Sequence, residues 1–218
     1  MEHYVITISR KFGCLGHEIA GRLGELLGVP VYDRSAVEAQ VLSTGAEARL
    51  LAATQLEEGR KKTQFLLFRK EADGEKDLRA RVMFQAQSEA LKSFVEKSSC
   101  VILGRGGDEV FREYPRCMNV YIFAPDKVRL QNCVRMLHTD EEAARALIHR
   151  EDKAREDYRR QFCSHASDVT YGRHLLMDSS LFGAEESARI LAQAARYLFS
   201  LPEEDQADSL HKAGGMTI

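Results

Sequence analysis

Tyr4-Val5-Ile6-Thr7-Ile8-Ser9-Arg10-Lys11-Phe12-Gly13-Cys14-Leu15-Gly16-His17-Glu18-Ile19-Ala20 passes from an apolar run of strand length, through a loop with two glycines, into a helical pattern. Unpaired N–H groups and the positive end of the dipole suit a helix N-terminus to an anion, and glycine lets the backbone bend and approach a ligand closely. Ser9 to His17 therefore reads as a phosphate-binding loop. A plain strand-to-helix turn stays equally open locally, because G-x-x-G is a weak motif and the pattern G-x-x-x-x-G-K-[ST] is missing.

Further apolar runs follow at Val29–Tyr32, Cys100–Leu103, Val120–Phe123 and Leu175–Met177, each reading as a strand buried on both faces. Between them lie helical patterns, among them Ile19, Leu23, Leu26 and Leu27, and Val128, Leu130, Val134 and Leu137. Strands alternating with helices predict an α/β fold whose parallel sheet is covered on both sides. Thr139 with Glu142 reads as a capping box, Asp126 after Pro125 as the cap of the preceding helix, and Ala184 to about Phe199 as the closing helix. Residues 45–98 hold no strand candidate and are rich in Glu, Lys, Arg, Leu and Ala, which predicts two or three inserted helices. Arg60-Lys61-Lys62 within them reads as a solvated face. One domain is expected over 1–200, with a frayed tail at 201–218.

The charge balance is 31 basic against 33 acidic residues, net −2, which gives no global field for a nucleic acid or an anionic membrane. The expected partner is a small nucleotide or phosphate ligand. No basic-then-apolar leader precedes Tyr4 and no apolar run approaches about 18 residues, so a cytoplasmic location is expected. The five cysteines form no C-x-x-C pair, so neither a zinc site nor a disulfide framework is expected. Asp33, twenty positions after Gly13, matches the ribose acid of a dinucleotide-binding fold, whose G-x-G-x-x-G is however missing.

Several separated pieces fit one pattern. They are Ile8-Ser9-Arg10 leading into Gly13 and Gly16, Glu18-Ile19-Ala20, Val31-Tyr32-Asp33-Arg34, Val101-Ile102-Leu103-Gly104-Arg105-Gly106, Asp152 through Tyr158, and Met177-Asp178-Ser179-Ser180. In their order and spacing the chain from Ile6 to about Leu198 resembles the cytidylate kinase-like family of bacterial P-loop proteins. The resemblance implies a three-layer P-loop kinase fold with a five-stranded parallel sheet, a helical monophosphate-binding insertion at about 35–98 and an arginine-bearing helical lid at about 129–162. It also implies transfer of the γ-phosphoryl of ATP, with Mg2+, to CMP or another small acceptor. A catalytically silent nucleotide- or anion-binding protein on the same fold is the alternative.

Carried over residue by residue, the resemblance puts Gly13, Cys14, Leu15, Gly16, His17 and Glu18 on the nucleotide, and Asp33, Arg34, Arg105 and Asp178 on the acceptor. Phosphoryl transfer depends on positioning and charge neutralisation, so arginines are expected around the transferred group. Asp152, Arg155 and Arg159 fall on one helix face, presenting an acid and two arginines to the phosphates, and Asp152 and Arg155 are, with Lys11, the catalytic candidates. Glu151 with Arg155 and Glu156 with Arg160 equally read as ordinary i,i+4 pairs, just as Asp33 and Asp178 equally read as helix caps.

The loop departs from the usual P-loop. Gly16 holds the lysine position, followed by His17 and Glu18 in place of Ser or Thr, and Leu15 replaces a family glycine. A leucine held at positive φ costs roughly 1–2 kcal/mol, and its side chain is expected to obstruct the phosphate. Lys11 is the candidate substitute for the missing lysine. Cys14 reads mainly as a small residue in place of serine, with activation by the helix dipole as the other reading.

Overall fold

The computed structural model describes residues 3–46, 48, 71–163 and 168–200. The first strand, β1 (Val5–Arg10), is the centre of the sheet, and its alternation divides the core. Ile6 and Ile8 pack on one face with Ile19, Leu23 and Leu191. Val5 packs on the other with Val37, Leu91 and Phe94. The remaining strands are β2 (Val31–Tyr32), β3 (Cys100–Leu103), β4 (Cys117–Phe123) and β5 (Leu175–Asp178). All pairs are parallel, in the order β2-β3-β1-β4-β5. The α/β fold and the five-stranded parallel sheet are thus as expected.

The helices α1 (Gly16–Leu27) and α7 (Ser179–Ser200) supply residues to the first face of the core; α2 (Arg34–Thr44) and α3 (Glu71–Lys97) supply residues to the second. A single turn, α4 (Gly107–Val110), follows β3. After β4 come α5 (Asp126–Leu137) and α6 (Glu141–Phe162), where the resemblance implied a lid. The insertion between β2 and β3 is helical at both ends; the rest of it, including Arg60-Lys61-Lys62, lies outside the described residues, as does the 201–218 tail.

Local expectations shift in four places. Asp140, not Thr139, caps α6, its Oδ1 accepting the Ala143 N–H at 2.8 Å; a carboxylate there satisfies an orphan donor and complements the dipole. Asp126 sits inside the first turn of α5 behind Pro125 and pairs with Arg129 instead of capping. The buried stripe of α5 is Arg129, Leu130, Asn132 and Cys133, not the purely apolar set, and Leu137 is left exposed. Gly183, at φ 66°, separates a first turn of α7 from the long helix that starts at Ala184. Among the described residues no helix is long and apolar enough to cross a membrane.

Candidate functional site

The carboxyl ends of β1, β3, β4 and β5 meet around the loop from Arg10 to Leu15, where parallel sheets with helical crossovers bind their ligands. Each carbonyl of that loop is engaged. Arg155 Nη1 donates to Arg10 O at 3.2 Å, Cys14 Sγ to Lys11 O at 2.9 Å and Arg129 Nη1 to Phe12 O at 3.0 Å. Asn132 Nδ2 donates to Gly13 O at 2.9 Å, Ser179 Oγ to Cys14 O at 2.8 Å and Ile19 N to Leu15 O at 2.9 Å. The N–H groups of Gly13, Cys14 and Leu15 donate to no protein acceptor among the described residues, and no side chain caps α1. A loop whose carbonyls are all tied and which keeps three consecutive N–H donors spare has the arrangement that suits an anion.

Leu15 has φ 59°, the left-handed conformation that was expected to be costly. Its side chain packs on the core cluster of Ile6, Ile19 and Leu191, so the structure offers no support for the expected obstruction. Leu15→Gly removes the backbone penalty of roughly 1–2 kcal/mol but forfeits part of a leucine's burial, about 1.5–3 kcal/mol when complete. A net change within about 1 kcal/mol is expected in urea denaturation, and a loss beyond about 3 kcal/mol would show that packing dominates.

Cys14 is fully buried and its thiol is pushed up to about 11 by burial. The small-residue reading holds and dipole activation does not. At pH 8 only about a thousandth of the thiol would ionise, so iodoacetamide should leave native Cys14 unmodified while an unfolded control reacts to completion. Peptide mapping after a timed quench reads this directly, and prompt native alkylation contradicts the burial.

A cavity of about 510 Å³ opens beside the loop, lined by six cations: Arg10, Lys11, Arg34, Arg105, Arg155 and Arg159. Its acids are Asp108, Glu151, Asp152 and Glu156. Several of these are already paired. Asp152 Oδ1 accepts the Phe12 N–H at 2.7 Å and Oδ2 takes Arg129 Nη1 at 2.5 Å, so α6 clasps the loop. Lys11 Nζ is 4.0 Å from Asp152, half-exposed. Asp108 holds Arg173 at 2.7 Å and Arg159 at 3.8 Å, and accepts from Ser9 Oγ at 3.3 Å.

Arg105 belongs to Gly104-Arg105-Gly106, three consecutive residues at positive φ (79°, 58° and 65°). That turn sets its guanidinium over the Tyr158 ring, 5.7 Å from the centroid, and 3.7 Å from Glu38. Tyr158 in turn donates to Gln87 Oε1 at 3.1 Å, and its own neighbour Phe162 stacks on Phe84 at 4.6 Å, joining α6 to α3. Glu156 pairs with Arg160 as expected, but Glu151 pairs with Arg150, which leaves Arg155 for the loop.

The other candidates lie apart from this cavity. His17, Glu18 and Asp33 line a second one, of about 720 Å³, whose lining comes mainly from α1, the start of α2 and Ala184 and Glu185 of α7. Asp33 also caps α2 through the Ala36 N–H at 3.1 Å, and Asp178 accepts the Ser180 N–H at 2.9 Å, so each fills its cap reading. Asp178 lines neither cavity.

Arg10, Arg129, Asn132 and Ser179 were not among the sequence candidates. Arg10 and Ser179 stood in quoted motifs without a role. The others carry a weak signal, polar residues set inside otherwise apolar faces.

The sequence model of the cytidylate kinase-like family matches residues 5–181. The chain belongs to the cytidylate kinase-like family. Its kinase-type fold is shared with a crystal structure of an uncharacterized protein from Eubacterium ventriosum ATCC 27560, at TM-score 0.67 and 18% identity, covering 89% of this chain and 99% of that one. Shikimate kinase from Acinetobacter baumannii in complex with shikimate matches at TM-score 0.44 and 18% identity, over 88% and 92% of the two chains. Dephospho-CoA kinase from Campylobacter jejuni matches at 0.35 and 11%, over 89% and 98%. No curated protein matches the chain. Membership in the cytidylate kinase-like family fits the tied loop and the cationic cavity better than a dinucleotide-binding reading of Asp33.

Proposed function

We propose that this protein is a nucleoside monophosphate kinase-like phosphotransferase that moves the γ-phosphoryl of ATP to CMP or a related small acceptor. The single observation that carries this reading is the loop with six tied carbonyls and spare N–H donors, set beside a cavity lined by six cations. Backbone donors would hold the nucleotide phosphates. Arg105 and Arg155 would neutralise charge on the transferred and accepting groups, which is most of what such a reaction asks of a protein. Asp152, with both oxygens engaged, is a positioning residue in this reading, holding the loop rather than taking a proton.

A magnesium ion finds few donors of the protein's own. No group of three His, Cys, Asp or Glu side chains that fits a metal occurs among the described residues, and no hydroxyl residue follows Gly16 directly. An ion accompanying ATP would be held mainly by phosphate oxygens and water, and the roles given to the side chains do not pass through it.

The test is a panel of nucleoside monophosphates incubated with ATP and magnesium, read as ADP release. One acceptor should stand well above the ATP-only background. A flat panel alongside calorimetric ATP binding would instead favour a catalytically silent nucleotide-binding protein, the reading that the missing lysine supports.

A further inference from the structure

Arg10 ends β1, and its side chain crosses the space in front of two glycines. A Cβ on Gly16 would stand 2.9 Å from Arg10 Cγ, and one on Gly104 would stand 2.3 Å from Arg10 Nη1. Gly104 has φ 79°, so its backbone already favours glycine. Gly16 has no positive φ, being the first residue of α1, and there the demand is for room alone. Gly16 is also the position at which a P-loop of the usual kind carries its lysine. The missing lysine and the path of Arg10 are one feature.

The guanidinium at the end of that path makes no hydrogen bond or ion pair among the described residues. The acids around it are engaged elsewhere: Asp108 with Arg173, Asp152 with Arg129 and Phe12, Glu38 with Arg34, and Asp33, whose charge reaches Arg10 from beyond ion-pair distance, with Ser35 and Ala36. Burial, with Arg155 beside it, pushes the Arg10 guanidinium down to about 10, so it keeps its charge at neutral pH with no carboxylate at ion-pair distance among the described residues. A half-buried, unpaired guanidinium facing a cavity is a fork waiting for two oxygens of one phosphate.

We infer that Arg10 supplies the phosphate-binding charge that the loop lysine supplies elsewhere, and that Gly16 is glycine to let its side chain pass. The inference rests on the reading of the loop as a phosphate site. It names the ligand class as a di- or triphosphate chain lying between the loop N–H groups and Arg10. In this arrangement the cation reaches the phosphates from the end of the strand rather than from the first turn of the helix.

Calorimetry with ATP and with inorganic tripolyphosphate tests it on the full chain and on Arg10→Gln, Gly16→Lys and the double variant Arg10→Ala/Gly16→Lys. Arg10→Gln should weaken tripolyphosphate binding by about 10- to 100-fold, as loss of a hydrogen bond from a charged donor does. Gly16→Lys alone should also bind poorly, because its side chain meets Arg10. The double variant removes that collision and restores a cation, so it should regain at least about tenfold over Arg10→Gln. A purely structural role for Arg10 predicts no such recovery. If wild type binds and Arg10→Gln binds within about threefold of it, the inference falls while the phosphate-site reading stands. If wild type binds neither probe, both fall. Should Arg10→Gln not fold, the double variant decides alone: binding within about tenfold of wild type supports the exchange, and no binding by folded protein overturns it.

Discussion

Arg129→Ala is expected to destabilise the protein by about 3–5 kcal/mol, the usual cost of breaking a buried ion pair from one side. Arg129 is only 5% exposed, and it bonds Asp152 at 2.5 Å, Asp126 at 2.6 Å and the Phe12 carbonyl at 3.0 Å. Its removal takes the closest cation from a largely buried carboxylate, which keeps only the Phe12 N–H and the longer Lys11 and Arg155 contacts, and frees a loop carbonyl. Asp126 is exposed and rehydrates cheaply, so nearly all of the loss arises at Asp152 and Phe12. The measurement is urea denaturation of both proteins at pH 7. A loss below about 1 kcal/mol would mean that the clasp between α5, α6 and the loop is dispensable. Phosphate or ATP affinity should drop further than the stability loss alone explains, because the loop would no longer be held.

Arg105→Ala is expected to lower kcat/KM in the phosphotransfer reaction by about 10²–10³-fold, the range seen when one charge-stabilising donor is taken from a reacting group. Stability should barely change. The 3.7 Å contact with Glu38 is loose and Glu38 is half-exposed, so that pair contributes little. Alanine also has to adopt the same positive φ of 58°, so the strain in the turn persists. Arg105→Lys keeps a charge but loses the planar fork and its place over Tyr158, and should fall between the two. Less than about fivefold loss in Arg105→Ala, measured on the best acceptor of the panel, would remove Arg105 from the reacting centre.

The sheet and the loop that leaves its central strand were legible because parallel strands buried on both faces write themselves as unbroken apolar runs. Val5 to Ile8 and Cys100 to Leu103 are such runs, and each leads into a turn with glycine at positive φ, Gly13 after the first and Gly104 and Gly106 after the second. That Arg105 lines the cavity follows from its place in the second of these turns. The clasp was not legible. Arg129 and Asn132 reach the loop from more than a hundred residues away, and in sequence they read as two polar positions of an amphipathic helix. The burial of α5 is set by the loop that it must hydrogen-bond, not by apolar spacing, which is why a purely hydrophobic stripe pointed to Leu137, a residue left 48% exposed. The passage of Arg10 past Gly16 was hidden for a different reason. A glycine at a lysine position reads as a loss until the neighbouring side chain is seen to fill it.

The tied loop also dates its own formation. Its carbonyls and the Phe12 N–H are met by residues separated along the chain by 117, 119, 140, 145 and 165 positions. Contacts of that span close large loops of chain and are entropically costly until the intervening structure exists. The pairing of β1 with β3 and β4 spans almost as much chain, 95 and 112 positions, but needs no residue beyond Phe123, so it can be complete while the loop, whose partners in α5, α6 and α7 come later in the chain, is still loose. During refolding, recovery of nucleotide binding should lag behind recovery of far-ultraviolet circular dichroism, and a chain stopped before Ser179 should have a sheet in the making but no anion site.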